Sequence, residues 1–294
     1  MARRKITEAL KERKIMVSDG AWGTFLQKKG LKPGECPELW CIDKPGEVLG
    51  AAKAYIEAGA DMIKTNSFGG SGFKLSHYGL SDRAFEINEA AAAISREAAG
   101  EEKWVIASIG PTGEMLVTED VTEEELYDAF KIQAAAFEKG GADAACIETM
   151  SDIGEAVQAI RAVKENTGLE VICTYTFEKT AKGEYRTMTG ADPIAAMAAS
   201  IKAGADIVGA NCGNGIGRMI EIVEIMRSVN KDIPILVHAN AGLPRYINGE
   251  TAFPETPEDM AEAAPRMAKA GANIIGGCCG TTPAHIKAIK EALS

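Results

Sequence analysis

The chain has no apolar run approaching the ~20 residues needed to span a bilayer. Its Met-Ala-Arg-Arg-Lys start leads into a charged amphipathic segment rather than the apolar core of a secretion signal. A cytoplasmic location is therefore expected. Lys/Arg-rich runs are missing too: 42 acidic residues against 32 basic ones leave a net charge of −10. That balance argues against nucleic acid or an anionic membrane as the main partner and leaves a small molecule or another protein. Seven cysteines in 294 residues are too few and too scattered for a disulfide framework, so each needs its own explanation. No linker or low-complexity segment interrupts the sequence, and residues 1–294 read as one domain.

A near-repeat dominates what is present. Ala58-Gly59-Ala60-Asp61, Gly140-Gly141-Ala142-Asp143, Ala203-Gly204-Ala205-Asp206 and Ala270-Gly271-Ala272-Asn273 each close a helical pattern with glycine and open a short apolar run. The spacing predicts strands at 15–19, 61–65, 104–109, 143–148, 171–176, 206–211, 234–239 and 273–277. Helical periodicity falls at about 47–59, 82–99, 122–139, 153–167, 191–203, 216–229, 257–270 and 283–293, several with N-terminal cap chemistry such as Thr122 with Glu125. Strands separated by helices pair in parallel, and eight β/α units in this length fit a single (β/α)8 TIM barrel better than an open doubly wound sheet. In such a barrel the functional groups stand at the C-terminal ends of the strands. The longest irregular stretches, 66–80, 177–189 and 239–255, all follow strands and should crowd that face.

Three cysteines fall at those ends: Cys212 after the sixth strand and Cys278-Cys279 after the eighth. Zinc prefers thiolates in tetrahedral geometry, and a catalytic site keeps three protein ligands and one open position. The alternative is that they are small buried hydrophobes, which is how Cys146 and Cys173, inside strands, and Cys36 and Cys41, in an early loop, are read. Gly276, Gly277 and Gly280 are expected to bend the backbone so that both adjacent thiols face one ion. Two carboxylates, Asp19 and Glu148, also end strands. They suggest capture of an ammonium group, as an amino acid would present, although Asp19 could be a turn residue and Glu148 could pair with a nearby Lys or Arg.

Two other enzyme chemistries compete. Gly213-Asn214-Gly215-Ile216-Gly217 follows a strand and opens a helix as a phosphate loop does, but it matches neither GxGxxG nor a Walker motif. Lys64 at the end of strand two would suit a Schiff-base aldolase, but no partner lysine converges on it. Of the three histidines, His77 and His285 read as surface or capping residues, and His238 ends strand seven beside the site.

DGAWGT, TNSFGG, IET, GANCGNG, HANAGLP and GGCCGTTPAHI together resemble the homocysteine S-methyltransferase family of zinc TIM barrels, over nearly the whole chain. NCGNG and NAGLP look closer to the homocysteine domain of cobalamin-dependent methionine synthase than to S-methylmethionine- or betaine-using relatives. The resemblance implies that Cys212, Cys278 and Cys279 hold zinc, that Asp19 and Glu148 hold the amino group of homocysteine, and that the backbone around Gly23-Thr24 receives its carboxylate. It places Asn240 where a non-cysteine residue approaches the metal when substrate is absent, with Asn66 and Asn211 orienting groups nearby. Cobalamin-dependent methionine synthase carries folate and cobalamin modules beyond this domain and none is expected here, so the expected donor is a separate methylated corrinoid (methylcobalamin) protein, with S-methylmethionine or betaine, or a different acceptor thiol, as alternatives. A metal-binding, methyl-accepting subunit without turnover of its own is the non-enzymatic reading.

Overall fold

The computed structural model describes residues 4–247 and 250–294. Eight parallel strands form one sheet: β1 (Met16–Val17), β2 (Met62–Lys64), β3 (Trp104–Ile109), β4 (Ala144–Met150), β5 (Glu170–Tyr175), β6 (Ile207–Gly215), β7 (Ile235–Asn240) and β8 (Ile274–Gly277). Their order is β1-β8-β7-β6-β5-β4-β3-β2, and a bridge between Ser18 and Met62 brings the two edges together. The result is a nearly closed TIM barrel. Eight helices follow the strands at Pro45–Glu57, Ala84–Ala99, Glu123–Lys139, Ile153–Asn166, Pro193–Ala203, Ile216–Val229, Pro257–Ala270 and Pro283–Ala292.

The repeated glycine junctions do more than end helices. At each one the Asp or Asn accepts a hydrogen bond from a backbone N–H of the strand before: Asp61 from Val17 (2.9 Å), Asp143 from Val105 (2.7 Å), Asp206 from Val171 (2.8 Å) and Asn273 from Ile235 (3.0 Å). A cation from an adjacent helix reaches the same oxygens, namely Lys290, Arg96, Lys164 and Arg227 in that order. The four staples tie β1 to β2, β3 to β4, β5 to β6 and β7 to β8, so the N-terminal face carries a fourfold pattern built from pairs of β/α units.

Inside the barrel Met16, Met62, Ile106, Ile172, Ile207, Leu236 and Ile274 make a sealed apolar layer. The N-terminal helix Ile6–Glu12 plugs this end with Ile6, Ala9 and Leu10, and the Glu170 carboxylate accepts from the backbone N–H groups of Ile6 and Thr7. Full burial of each such aliphatic chain contributes about 2 kcal/mol, so this layer is a stabilising floor beneath the mouth of the barrel.

Short elements decorate the opposite face. Residues 66–80 include the helix Gly72–Ser76, 177–189 hold the hairpin Glu178–Lys179 with Tyr185–Arg186, and 239–255 hold the hairpin Arg245–Ile247 with Glu250–Ala252. All three stretches lie at the C-terminal rim, as the strand order requires. Among the described residues, no helix is long and apolar enough to cross a membrane.

Candidate metal centre and acceptor pocket

Strand β6 does not stop at Asn211. It continues to Gly215 with a bulge, because Asn211 pairs with His238 while Gly215 pairs with Asn240, which leaves extra residues on the β6 side. Cys212 sits in that bulge with φ 58°, in the left-handed region that β-carbon-bearing residues avoid. Holding it there costs on the order of 1–3 kcal/mol. Asn211 supplies the support: its Oδ1 accepts from Thr149 N (2.7 Å) and Thr174 Oγ1 (2.7 Å), and its Nδ2 donates to Thr149 Oγ1 (2.7 Å). Thr149 is itself left-handed, with φ 65°. Thr149 is thereby tied to the residue that precedes Cys212.

Strand β8 ends at Gly277, after which Cys278 N donates to Ala239 O (2.7 Å) and Ala241 N donates to Cys279 O (3.0 Å). Gly280 turns the chain with φ 81°, and a β-carbon there would also collide with the Phe253 ring at 2.2 Å. At Gly277 the need is for space rather than turn conformation, since a β-carbon would lie 2.3 Å from Thr281 Oγ1. Ending the strand lets both adjacent cysteines point the same way.

The three sulfur atoms converge. All lie within 4.8 Å of one another, with Cys212 Sγ and Cys279 Sγ 3.9 Å apart. Four ligands at ~2.3 Å from a tetrahedral zinc would stand ~3.8 Å from each other, so the spacing fits. Protons are contested here. The Cys212 thiol is pulled well below its ordinary value because its sulfur accepts from Cys278 and Cys279, then from Gly213 N–H and the Asn240 amide. Cys278 and Cys279 are pushed up, chiefly because each donates its thiol hydrogen to Cys212, with burial and the charge on Cys212 adding to the effect. A divalent cation resolves that conflict by accepting all three thiolates. Among the described residues, Asn240 Oδ1 and both ring nitrogens of His238 are buried without a hydrogen-bond partner, and the Asn240 amide is the one that reaches a cysteine.

The sulfurs line one wall of a cavity of about 450 Å³, a volume suited to a small metabolite. Gly23, Thr24, Lys64, Ser108 and Glu148 line it as well. Glu148 on β4 accepts from Ser108 Oγ and faces Lys64 Nζ at 3.4 Å, with both side chains about 95% buried (6% and 5% exposed). Burial alone would lower the Lys64 ammonium, but Glu148 and then Asp19 hold it above its ordinary value, and it stays charged. Asp19 lies behind this wall, fully buried, accepting from the Trp22 indole (2.7 Å) and from Lys64 N (2.8 Å). Burial pushes its carboxyl up to about 6 against the lowering effects of Lys64 and Trp22.

Of the residues expected at the site, the cysteines, Gly23, Thr24 and Glu148 thus share one cavity, whereas Asp19, Asn66 and Asn211 are buried supports. Asn66 donates to Pro37 O (2.7 Å) and touches Cys41 Sγ (3.6 Å). Glu148 is paired with Lys64 and at the same time lines the cavity that an ammonium group would enter. Sequence reasoning weighed Lys64 only as an aldolase lysine. Its polar head at the end of the apolar run MIK was the available signal. Cys36 and Cys41 are buried singly, with Cys36 Sγ 3.4 Å from Glu38 and Cys41 Sγ 3.4 Å from Asn66 O, and Cys146 and Cys173 are wholly buried in strands. His285 caps the last helix with Thr282. The glycine-rich end of β6 is no phosphate loop: Glu255 accepts from Ile216 N (3.3 Å) and fills the position an anion would take.

The chain is 34% identical over 300 residues to methionine synthase of Mycobacterium tuberculosis, covering 96% of this chain and 25% of that protein. It is 33% identical over 308 residues to the Mycobacterium leprae methionine synthase, covering 98% and again 25%. The chain therefore spans about a quarter of the length of these relatives. Its fold matches the metallated form of the homocysteine methyltransferase MmuM from Escherichia coli, with a TM-score of 0.79 at 20% identity over 96% of this chain and 98% of that one. The oxidized form of the same enzyme gives 0.77 at 21%, over 96% and 97%. The homocysteine S-methyltransferase family matches residues 16–293, and the chain belongs to that family.

Proposed function

We propose that this barrel is a zinc-dependent enzyme that methylates the sulfur of homocysteine to give methionine. The observation that carries the reading is the convergence of three thiols, from β6 and the turn after β8, on one wall of a cavity whose other wall presents a buried carboxylate and ammonium. Cys212, Cys278 and Cys279 would hold the ion. A bound zinc supplies acidity, bringing the thiol of an added ligand down so that its thiolate is present at neutral pH. The protein's own groups do the rest. Glu148 receives the amino group of the acceptor, the backbone at Gly23 and Thr24 faces its carboxylate, and the apolar floor below keeps water from the sulfur. The acceptor sulfur then attacks the donor's methyl carbon in line, forming the S–C bond as the methyl–donor bond breaks with its electron pair left on the donor.

The rim supports a protein-borne donor. Val117, Met188 and Tyr246 are 80%, 79% and 81% exposed, on the loops after β3, β5 and β7, while Phe68 after β2 and Leu243 on the same loop as Tyr246 are 43% and 42% exposed. Apolar side chains so exposed around a cavity mouth suit a partner that covers it. A methylated corrinoid protein is the donor that this surface and the methionine synthase relatives favour.

Metal analysis and turnover test the reading. The purified chain should carry one zinc per molecule, lose it on Cys278→Ser, and form methionine from homocysteine and methylcobalamin. Sub-stoichiometric zinc in the wild type would sink the thiolate-metal assignment. Zinc with no methionine from methylcobalamin, S-methylmethionine or betaine would leave an accessory subunit instead of an enzyme.

A further inference from the structure

Lys64 is buried at the polar end of the acceptor cavity and is poorly satisfied there. An ammonium offers three N–H donors. Among the described residues the only hydrogen-bond or ion-pair partner of Lys64 Nζ is Glu148 Oε2, at 3.4 Å. Charge-assisted N–H···O contacts in proteins are shorter, about 2.7–2.9 Å, so the pair is loose and has donors to spare. Buried ion pairs do not repay their desolvation unless further hydrogen bonds complete them. Here the completing groups are missing, and the space where they would stand is the cavity itself.

The order of strands says what would fit. Around the barrel run β1, β2, β3 and β4, so Lys64 on β2 stands between the Gly23-Thr24 segment after β1 and Glu148 on β4. Glu148 is engaged on its other oxygen by Ser108 Oγ. A cation and an anion stand side by side on the cavity wall. A ligand of single charge would attract one and repel the other, whereas a zwitterion satisfies both, its ammonium on Glu148 and its carboxylate on Lys64.

We propose that Lys64 is a specificity-determining residue of the acceptor site, receiving the carboxylate of a thiol amino acid while Glu148 receives its amino group. This rests on the homocysteine reading above and adds the group that distinguishes an amino acid from a simple thiol or amine.

Three thiols with the same reach test it: homocysteine, its deaminated analogue 4-mercaptobutanoate, and its decarboxylated analogue 3-mercaptopropylamine. Binding is read from the spectral change each causes in the cobalt-substituted protein. Lys64→Met should weaken homocysteine and 4-mercaptobutanoate by about 10- to 100-fold, the range for losing a hydrogen bond to a charged group. It should leave 3-mercaptopropylamine unchanged within about threefold, or tighter because Glu148 is freed. Equal weakening of all three, or no weakening of homocysteine, would overturn the proposal. If the uncompensated Glu148 prevents folding, the double variant Lys64→Met with Glu148→Gln removes both charges together. In it the three affinities should collapse towards one value, and a wild-type spread would again overturn the proposal. If homocysteine leaves the wild-type cobalt spectrum unmoved, the acceptor reading itself fails and this inference with it. If it perturbs wild type and Lys64→Met alike, only the role of Lys64 fails.

Discussion

The two ends of the barrel are built by different rules. At the N-terminal face one device occurs four times, an Asp or Asn at a glycine junction stapling an even strand to the odd strand before it, with a cation from a nearby helix on the same oxygen. At the C-terminal face the strands end in different ways: β4 and β6 shift register, β8 stops short, three non-glycine residues among those described sit at positive φ, and two hairpins and a short helix rise above the rim. Regularity serves stability, because the same local solution works at every junction. Irregularity serves chemistry, because three sulfurs from two strands must meet at one point. Changes at the two faces should therefore separate cleanly, the upper face showing in metal content and turnover and the lower face in stability alone.

The largest effect belongs to the upper face. Cys279→Ser replaces a thiolate by a hydroxyl that does not ionise at neutral pH, leaving two thiolates and an incomplete tetrahedron. Zinc content should fall below half, and kcat/KM by about three orders of magnitude or more, on the view that the metal supplies most of the thiol activation. The melting temperature should stay within a few degrees, since Cys279 is only partly buried. A variant that kept its zinc, or one that unfolded, would break the separation of the two faces.

Next in size is the most buried staple. Asp61 is 4% exposed on its side chain and meets Lys290 at 2.7 Å, with Arg13 and Lys103 at 3.5 and 3.7 Å. Asp61→Ala leaves the buried Val17 N–H without its acceptor and removes the carboxylate shared by Lys290, Arg13 and Lys103. A loss of about 3 kcal/mol is expected from urea unfolding, with zinc stoichiometry unchanged. Loss of zinc in a folded Asp61→Ala would show that the floor and the mouth are not independent.

That contrast also explains what could be read from the sequence. The four glycine junctions are local and repeated, so strand count, helix positions and the barrel itself were legible from spacing alone. Cys212, Cys278 and Cys279 were legible because zinc chemistry restricts residue types severely. The bracing of Thr149 by Asn211, the loose Lys64 with Glu148, and the retreat of Asp19 behind the cavity wall were not. Each depends on which side chains face each other across strands 37 to 84 residues apart, and on the register shifts in β4 and β6. Strand patterns fix which residues point inward, not which inward residues touch. The N-terminal plug Ile6–Glu12 escaped assignment for a similar reason, since its apolar residues make sense only against a closed barrel floor.

Asp19 tests the boundary between the faces by pH. Its carboxyl is raised by burial from 3.8 to about 6, so the folded state holds a proton that the unfolded state releases. The stabilisation this gives is complete below pH 3.8 and is lost as pH rises through about 6. Asp19→Asn keeps an acceptor for the Trp22 indole and Lys64 N–H and cannot ionise. Relative to wild type, its unfolding free energy should improve by up to about 3 kcal/mol between pH 3 and pH 8. A difference between the two proteins that does not vary with pH would mean that Asp19 titrates normally and is not the buried strut described.

The smallest effect lies in the one staple that departs from its own repeat. Asn273 stands where the other three junctions have Asp, and it gives Arg227 Nη2 a neutral oxygen at 2.8 Å. The remaining partners of that guanidinium are the backbone carbonyls of Gly271, Asn230 and Ile233, and its partial burial holds Arg227 below its ordinary value. Asn273→Asp would restore the charge-assisted contact of the other junctions while still accepting from Ile235 N. A gain of about 1 kcal/mol is expected near neutral pH, disappearing as the new carboxylate is protonated in acid. The reverse change, Asp206→Asn, exposes a junction whose side chain is already 28% open to water and should cost less than the Asn273 variant gains. If Asn273→Asp instead destabilised the protein, the neutral oxygen would be a requirement of the β7–β8 junction, and the fourfold pattern would be three staples with a distinct fourth.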